Sequence, residues 1–396
     1  MLKLTAKHTV RAAYVGYLTQ AITINFAPLL FITFEKTYHI SMGKISLLIA
    51  ISFLTQLTAD MLAAKFPQKI KTRPLVILAH LCAVFGMTGF AWLPELLPDP
   101  YIGLMIPVIV AAVGGGIIEV LISPIVEACP TDEKSSAMSL LHSFYSWGLA
   151  GVVLLSTLFF SFAGIEHWRI LSCLWAIIPA VGAIAFCFVP IYELHSDEAD
   201  EAEPRSHSFF RSGIFWIFFI LMFCAGAAEQ AMGQWASSFA ESGLGVSKAV
   251  GDILGPCLFA ILMGLARTVY GISGGRIKLL RFIVVSAVLC IVSYLLAALS
   301  PLPLLALIGC ALCGLSVGIM WPGTYSLASV KMPWGGVKMF ALLAMAGDLG
   351  CLAGPTAAGW IAEACGNDLR VSFLISIVFP VLILLMAFLG FRKKRS

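Results

Sequence analysis

Charge is scarce in this sequence. Only 12% of its 396 residues are Asp, Glu, Lys or Arg, about half the roughly 25% of an ordinary soluble domain. That shortage excludes a soluble globular chain. From 282 to 330 no charged residue occurs at all. Nucleotide and metal motifs are missing too: there is no GxxxxGK(S/T), no HExxH and no cluster of ligand-spaced His and Cys. We therefore expect no enzyme activity, no metal and no cofactor, and any transport must run on a gradient. The eleven cysteines are scattered through apolar segments and form no disulfide framework. Cys310 and Cys313 make a CxxC, but within an apolar stretch beside glycines, where it reads as small apolar packing. No basic helix or aromatic–basic module stands outside the apolar segments, so the net charge of +4 does not indicate nucleic acid.

Apolar residues fill the place that charge leaves. They make up 60% of the chain, and the mean hydropathy is +0.96. A helix needs about 20 mostly apolar residues to cross a bilayer. Twelve segments meet that length: roughly 11–34, 43–64, 74–94, 101–127, 136–164, 169–192, 212–240, 247–271, 279–299, 302–330, 336–362 and 370–391. The uncharged run is too long for one crossing, and Ser300-Pro301-Leu302-Pro303 divides it. The runs are continuous, not alternating, which fits helices rather than a membrane barrel. The first is too long for a signal h-region, and no small-residue cleavage site follows it. With the N-terminus inside and twelve crossings, 20 of the 25 Lys and Arg residues fall on the cytoplasmic side. This asymmetry predicts both termini in the cytoplasm.

Residues 193–211, ELHSDEADEAEPRSHSFFR, are polar and acidic. They read as a cytoplasmic linker between two six-helix bundles, 1–192 and 212–396. The halves echo each other. The basic loop with Lys65, Lys69, Lys71 and Arg73 recurs as Arg267, Arg276, Lys278 and Arg281, and Pro124 recurs as Pro322. The fold class expected is an all-α membrane protein of twelve transmembrane helices in two six-helix bundles, the major facilitator architecture. A monomer in the cell membrane is expected, with a small-molecule solute and the lipid bilayer as its partners.

Ionisable and amide groups at bilayer depth are costly, so each one matters. Glu119 stands in GGGIIEVLISP (114–124), ~16 Å from the inner end of its helix at 1.5 Å per residue. Ser123 shares its face. A carboxylate there can take up a proton, which removes the cost of moving its charge. Glu229 and Gln230, followed by Gln234 and Trp235, put an acid, two amides and an indole within two turns. That set suits a polyhydroxyl or amide-bearing ligand. Alternatively, Trp235 is a belt residue near the outer interface. Asp348 adjoins a face of Gly347, Gly350 and Gly354 and is either an ionisable site or a packing residue. His142 and Tyr145 share a face in the fifth span, and His142 is either a packing residue or a proton relay. Asn25, with Tyr17 and Gln20 before it, lies mid-helix in the first span. Gln56 and Asp60 lie in the second. Asp60 and Arg267, near inner ends, read as gate residues.

The stretch GGGIIEVLISPIVEACP (114–130) resembles the fourth helix of the fucose–galactose–glucose proton symporter family, a branch of the major facilitators. The glutamate position is Glu119 and the proline Pro124, with Ser123 in place of the family's Asn. LLHSFYSWG (140–148), AEQAMGQWASSF (228–239), GIMWPGTYSLA (318–328) and GDLGCLAGPTAAGWIAEACGN (347–367) are similar to its fifth, seventh, tenth and eleventh helices. The resemblance implies proton-driven sugar uptake with Glu119 as proton carrier. The family's first-helix acid is absent from TINFAPLL (23–30). In FPQKIKTR (66–73), Gln68 and Lys71 replace the Asp and Gly of the usual inner-loop pattern, in which Arg73 is the gating arginine.

The function expected is symport of a small neutral polar solute, such as a sugar, with protons. Glu119 is the leading coupling group, with Glu229 and Asp348 as the other candidates. The solute would meet Asn25, Gln56, Ser123, His142, Tyr145, Glu229, Gln230, Gln234, Trp235, Trp321 and Tyr325. Asp60, Arg73 and Arg267 would gate. The rival expectation is a proton-antiport exporter of an organic or amphipathic compound, using Glu229 or Asp348.

Overall fold

The computed structural model describes residues 4–65, 72–130, 134–192, 209–272, 279–332 and 336–391. Nearly all of them are helical, and no strand occurs among them. Twelve stretches follow one another. The first six are α1 (Ala6–Tyr38), α2 (Met42–Lys65), α3 (Thr72–Leu96), α4 (Pro100–Glu127), α5 (Lys134–Ala163) and α6 (Ile165–Phe188). The second six are α7 (Gly213–Gly243), α8 (Lys248–Tyr270), α9 (Leu279–Leu299), α10 (Pro303–Lys331), α11 (Gly336–Ala364) and α12 (Leu369–Gly390). Eleven are long and apolar enough to cross a membrane, counted among the described residues. The twelfth, α11, has 29 residues, about 43 Å at 1.5 Å per residue. Most of the acidic linker (193–208) and most of the two basic loops (66–71 and 273–278) lie outside the described residues, as do the side chains of Asp60 and His142.

Prolines set where the helices deform. A proline offers no N–H to the carbonyl four residues back. Pro28 coincides with a 3₁₀ stretch, Ala27–Leu30, within α1. Helix α6 is interrupted at Ala176, three residues before Pro179, and α12 at Ile377, three before Pro380. Helix α10 breaks between Val317 and Met320, just before Pro322. The matching interruptions in α6 and α12 repeat one local device in the two halves.

Two compact units result: Met1–Ser41 with Ile51–Ser196, and Met42–Ala50 with Asp197–Ser396. In the first unit α1 packs on α4, α5 and α6, and α3 on α4 and α6. The buried cluster includes Ala13 and Tyr17 of α1, Val76 of α3, Ile118 and Ile122 of α4 and Phe186 of α6. Arg73 ties α3 to the end of α6 by donating to the carbonyls of Phe186, Cys187 and Val189 at 2.7–2.9 Å. Ser172 of α6 donates to the Met87 carbonyl of α3.

In the second unit α7 runs against α11 over much of its length. Gly350 and Gly354 make that crossing possible. A Cβ at either would overlap the backbone carbonyl of Phe223 or Ala227, the close approach that small residues permit in lipid. Helix α12 is held like α6: Ser372 donates to the Ala358 carbonyl, and Arg370 donates to the carbonyls of Ala298 and Ser300 at the end of α9. Helix ends shed carbonyls that have no intrahelical donor. In both units a neighbouring arginine supplies that donor.

Candidate functional site

In the first unit, spans α1, α2 and α4 bring three polar side chains to one point. Gln20 donates to Oε2 of Glu119 at 2.8 Å. Gln56 donates to the same oxygen at 2.6 Å. Both glutamines are buried. No cation lies within ion-pair distance of Glu119 among the described residues. One turn on, Ser123 shares a 2.9 Å hydrogen bond with the Tyr17 hydroxyl. Asn25 donates to the Ala21 carbonyl at 2.9 Å and weakly to the Tyr145 hydroxyl at 3.4 Å. Gly115, one turn before Glu119, leaves Thr23 and Gln56 in ordinary contact range of a Cβ. The result is a carboxylate held by neutral amides, with hydroxyls and a further amide on the same helices.

The second unit arranges its acid differently. Glu229 of α7 is paired with Arg267 of α8 at 3.3 Å. Its other oxygen receives a long 3.5 Å contact from Gln230, and Gln230 in turn accepts from Gln234 at 3.1 Å. Arg267 also donates to the Gly318 carbonyl of α10. Trp321 and Tyr325 of α10 are half-buried, with rings edge to face at 6.4 Å. The Trp321 ring rests on Gly347 of α11, where a Cβ would overlap it. Asp348, the next residue, is half-buried.

Other residues singled out in the sequence have definite surroundings. Trp235 is fully buried, its indole donates to the Pro355 carbonyl at 2.8 Å, and its ring presses on Gly359. The structure places it in the packing of α7 on α11, not on an open face. Arg73 is engaged with the carbonyl end of α6, and Arg267 with Glu229. Cys310 and Cys313 are buried thiols with no disulfide.

Two features went unread in the sequence. Gln20 is a direct partner of Glu119; its signal was an amide one turn from Asn25 on the first span. Asp252, at the start of α8, is wholly buried. It pairs with Lys248 at 3.1 Å and accepts from Ser237. π-helical turns, Phe239–Gly243 and Ile253–Cys257, lie on either side of this corner. The i,i+4 spacing of Lys248 and Asp252 was the available signal.

The comparisons with known proteins agree with this architecture. The model of the Major Facilitator Superfamily matches residues 13–337. No curated protein sequence matches significantly. Among solved structures, the nucleoside transporter NupG superposes with a TM-score of 0.76 at 14% identity, over 98% of this chain and 99% of that one. A bacterial homologue of the human lysosomal transporter Spinster gives 0.77 at 15% identity, over 99% and 98%. The E. coli fucose:proton symporter gives 0.64 at 16% identity, over 97% and 98%. These likenesses establish the fold and do not single out the fucose–galactose–glucose branch. The family model covers most of the chain and the twelve-helix fold is matched end to end: the chain belongs to the Major Facilitator Superfamily and is a multi-pass membrane transporter.

Proposed function

We propose that this transporter couples the uptake of a small neutral polar solute to protons, with Glu119 as the proton-binding group. The observation that carries this reading is the amide cage. Gln20 and Gln56 both donate to one oxygen of Glu119, and neither brings a charge. Among the described residues no cation pairs with Glu119, so the ionised carboxylate there carries a negative charge that one proton cancels. Moving a neutral group between two accesses avoids the cost of a bare carboxylate at membrane depth. Glu229 offers the opposite case. Its charge already has a partner in Arg267, 3.3 Å away, so it does not need a proton to be compensated. That contrast favours Glu119 over Glu229, and it weakens the antiport exporter built on Glu229.

The cycle follows from alternating access of a two-bundle transporter. In the outward state Glu119 takes a proton and solute binds. The neutral, loaded form turns inward and releases both. The proton gradient is the driving force. In the first unit the candidates for solute contact are Asn25, Gln56, Ser123 and Tyr145; the second unit, taken by itself, carries Gln230, Gln234, Trp321 and Tyr325. Amides, hydroxyls and aromatic faces suit a polyhydroxyl solute. The nucleoside and fucose carriers with the same fold support that class.

A thermal-shift screen of sugars, polyols and nucleosides on purified protein identifies the solute. Counterflow in proteoliposomes then measures exchange, and an imposed pH gradient measures accumulation. Glu119→Gln is expected to abolish accumulation and spare counterflow. Accumulation that survives in E119Q removes Glu119 from the coupling role, and solute driven out by inward proton flow replaces import with export.

A further inference from the structure

A cavity of about 460 Å³ lies between the first turns of α1 and the last turns of α6, within the first unit. Its wall is apolar: Leu4, Ala12 and Val15 on one side, Ala185, Phe188 and Val189 on the other. Among the described residues its charged or ionisable lining is His8 and Arg11, both from α1. Arg11 is exposed, and so is Lys7 one turn before it. Among the described residues no acidic side chain lines the cavity.

The polar groups there are oriented. The Thr5 N–H donates to Nδ1 of His8 at 3.1 Å. With Nδ1 accepting, the ring proton of neutral His8 sits on Nε2, which remains a donor. The groove also lies at the N-terminus of α1, a 20-residue helical segment whose first N–H groups favour negative charge. Thr9 and Arg73 fix the opposite wall: Thr9 donates to the Pro190 carbonyl at 2.6 Å, and Arg73 holds the Phe186, Cys187 and Val189 carbonyls. The cavity is therefore built from braced backbone. Phe188 is 70% exposed and Ile184, one turn earlier on α6, is 60% exposed. In a membrane protein, apolar surface that open faces acyl chains.

We propose that this groove binds one anionic phospholipid, its acyl chain along the apolar wall and its phosphate between His8 and Arg11. The volume falls in the usual range of a small-molecule site, about 300–1,000 Å³. Cations at the mouth complement a phosphodiester, and the apolar wall complements a chain that a free anion lacks. Basic pockets between helices at the membrane surface hold acidic headgroups by this combination.

The test uses full-length protein in mild detergent, stripped of lipid. It is titrated with dioleoyl phosphatidylglycerol, dioleoyl phosphatidylcholine and inorganic phosphate, and followed by native mass spectrometry and thermal melting. Phosphatidylglycerol is expected to bind as a single copy, several-fold more tightly than phosphatidylcholine, and to raise the melting temperature. Arg11→Gln is expected to weaken it about fivefold, the equivalent of the ~1 kcal/mol that one interfacial cation contributes. Ala185→Phe keeps His8 and Arg11 and fills the groove, and is expected to lose the bound copy. Equal binding of the two lipids, or unchanged phosphatidylglycerol binding in both variants, overturns the proposal. A phosphate shift as large as that of phosphatidylglycerol also overturns it and leaves a plain anion site.

Discussion

Arg267 donates to the carbonyl oxygen of Gly318 at 3.3 Å, an oxygen that Pro322, four residues on, leaves without a helical donor. The break in α10 thus creates an acceptor, and the acceptor anchors the arginine that neutralises Glu229. Removing one partner of a buried ion pair costs about 3–5 kcal/mol, because the other charge stays behind. Arg267→Gln is therefore expected to lower the melting temperature strongly. Glu229→Gln with Arg267→Gln together should recover much of the loss. A double variant as unstable as R267Q would mean that the pair is not what holds the two residues.

The two glutamines on Glu119 converge on one oxygen. A hydrogen bond to a charged group contributes roughly 1.5–3 kcal/mol, and 1.4 kcal/mol is about tenfold in an equilibrium. Gln20→Leu or Gln56→Leu should each slow proton-driven uptake by about tenfold. The double variant should fall further than either single one, because only then is the carboxylate left without an amide. Initial uptake rates in proteoliposomes at fixed pH gradient read this out. Wild-type rates in both single variants would remove the cage from the mechanism.

The twelve helices were legible because hydropathy reports directly on what lipid tolerates. Glu119 stood out for the same reason: a lone acid in GGGIIEVLISP is costly at bilayer depth and needs partners. Its partners were harder to read. Gln20 and Gln56 lie 99 and 63 residues away in sequence, and periodicity alone does not say which helices meet. Trp235 shows the limit from the other side. Its composition suggested a solute face, yet the glycines of α11 draw α7 so close that the indole is enclosed. Asp252 was missed because its partner Ser237 lies 15 residues back on the preceding span, and periodicity alone does not say that the two helices meet there.

Gly347 fixes where Trp321 lies. The indole edge occupies the space that a Cβ would need. Gly347→Ala should overpack the contact at a cost of about 1–3 kcal/mol, visible as a lower melting temperature. Trp321→Phe, with a smaller ring, should relieve part of that cost in the double variant. An additive double variant would show that the two residues do not press on each other.

Arg73 is the brace on which the lower end of α6 depends. Its guanidinium supplies donors to three carbonyls at once, those of Phe186, Cys187 and Val189. A lysine carries the charge but presents it as a point, without the planar fork. Arg73→Ala should fray the last turn of α6, and Arg73→Lys should restore only part of the order. Amide hydrogen exchange reads this directly at Val189, whose N–H donates to the Ala185 carbonyl. Exchange there should speed up in R73A and fall between the two in R73K, while exchange at Phe373 in α12 stays as in the wild type. If Val189 remains as protected in R73A as in the parent, α6 ends where it does on its own backbone bonds, and Arg73 is released for another role, such as the gate expected from the sequence.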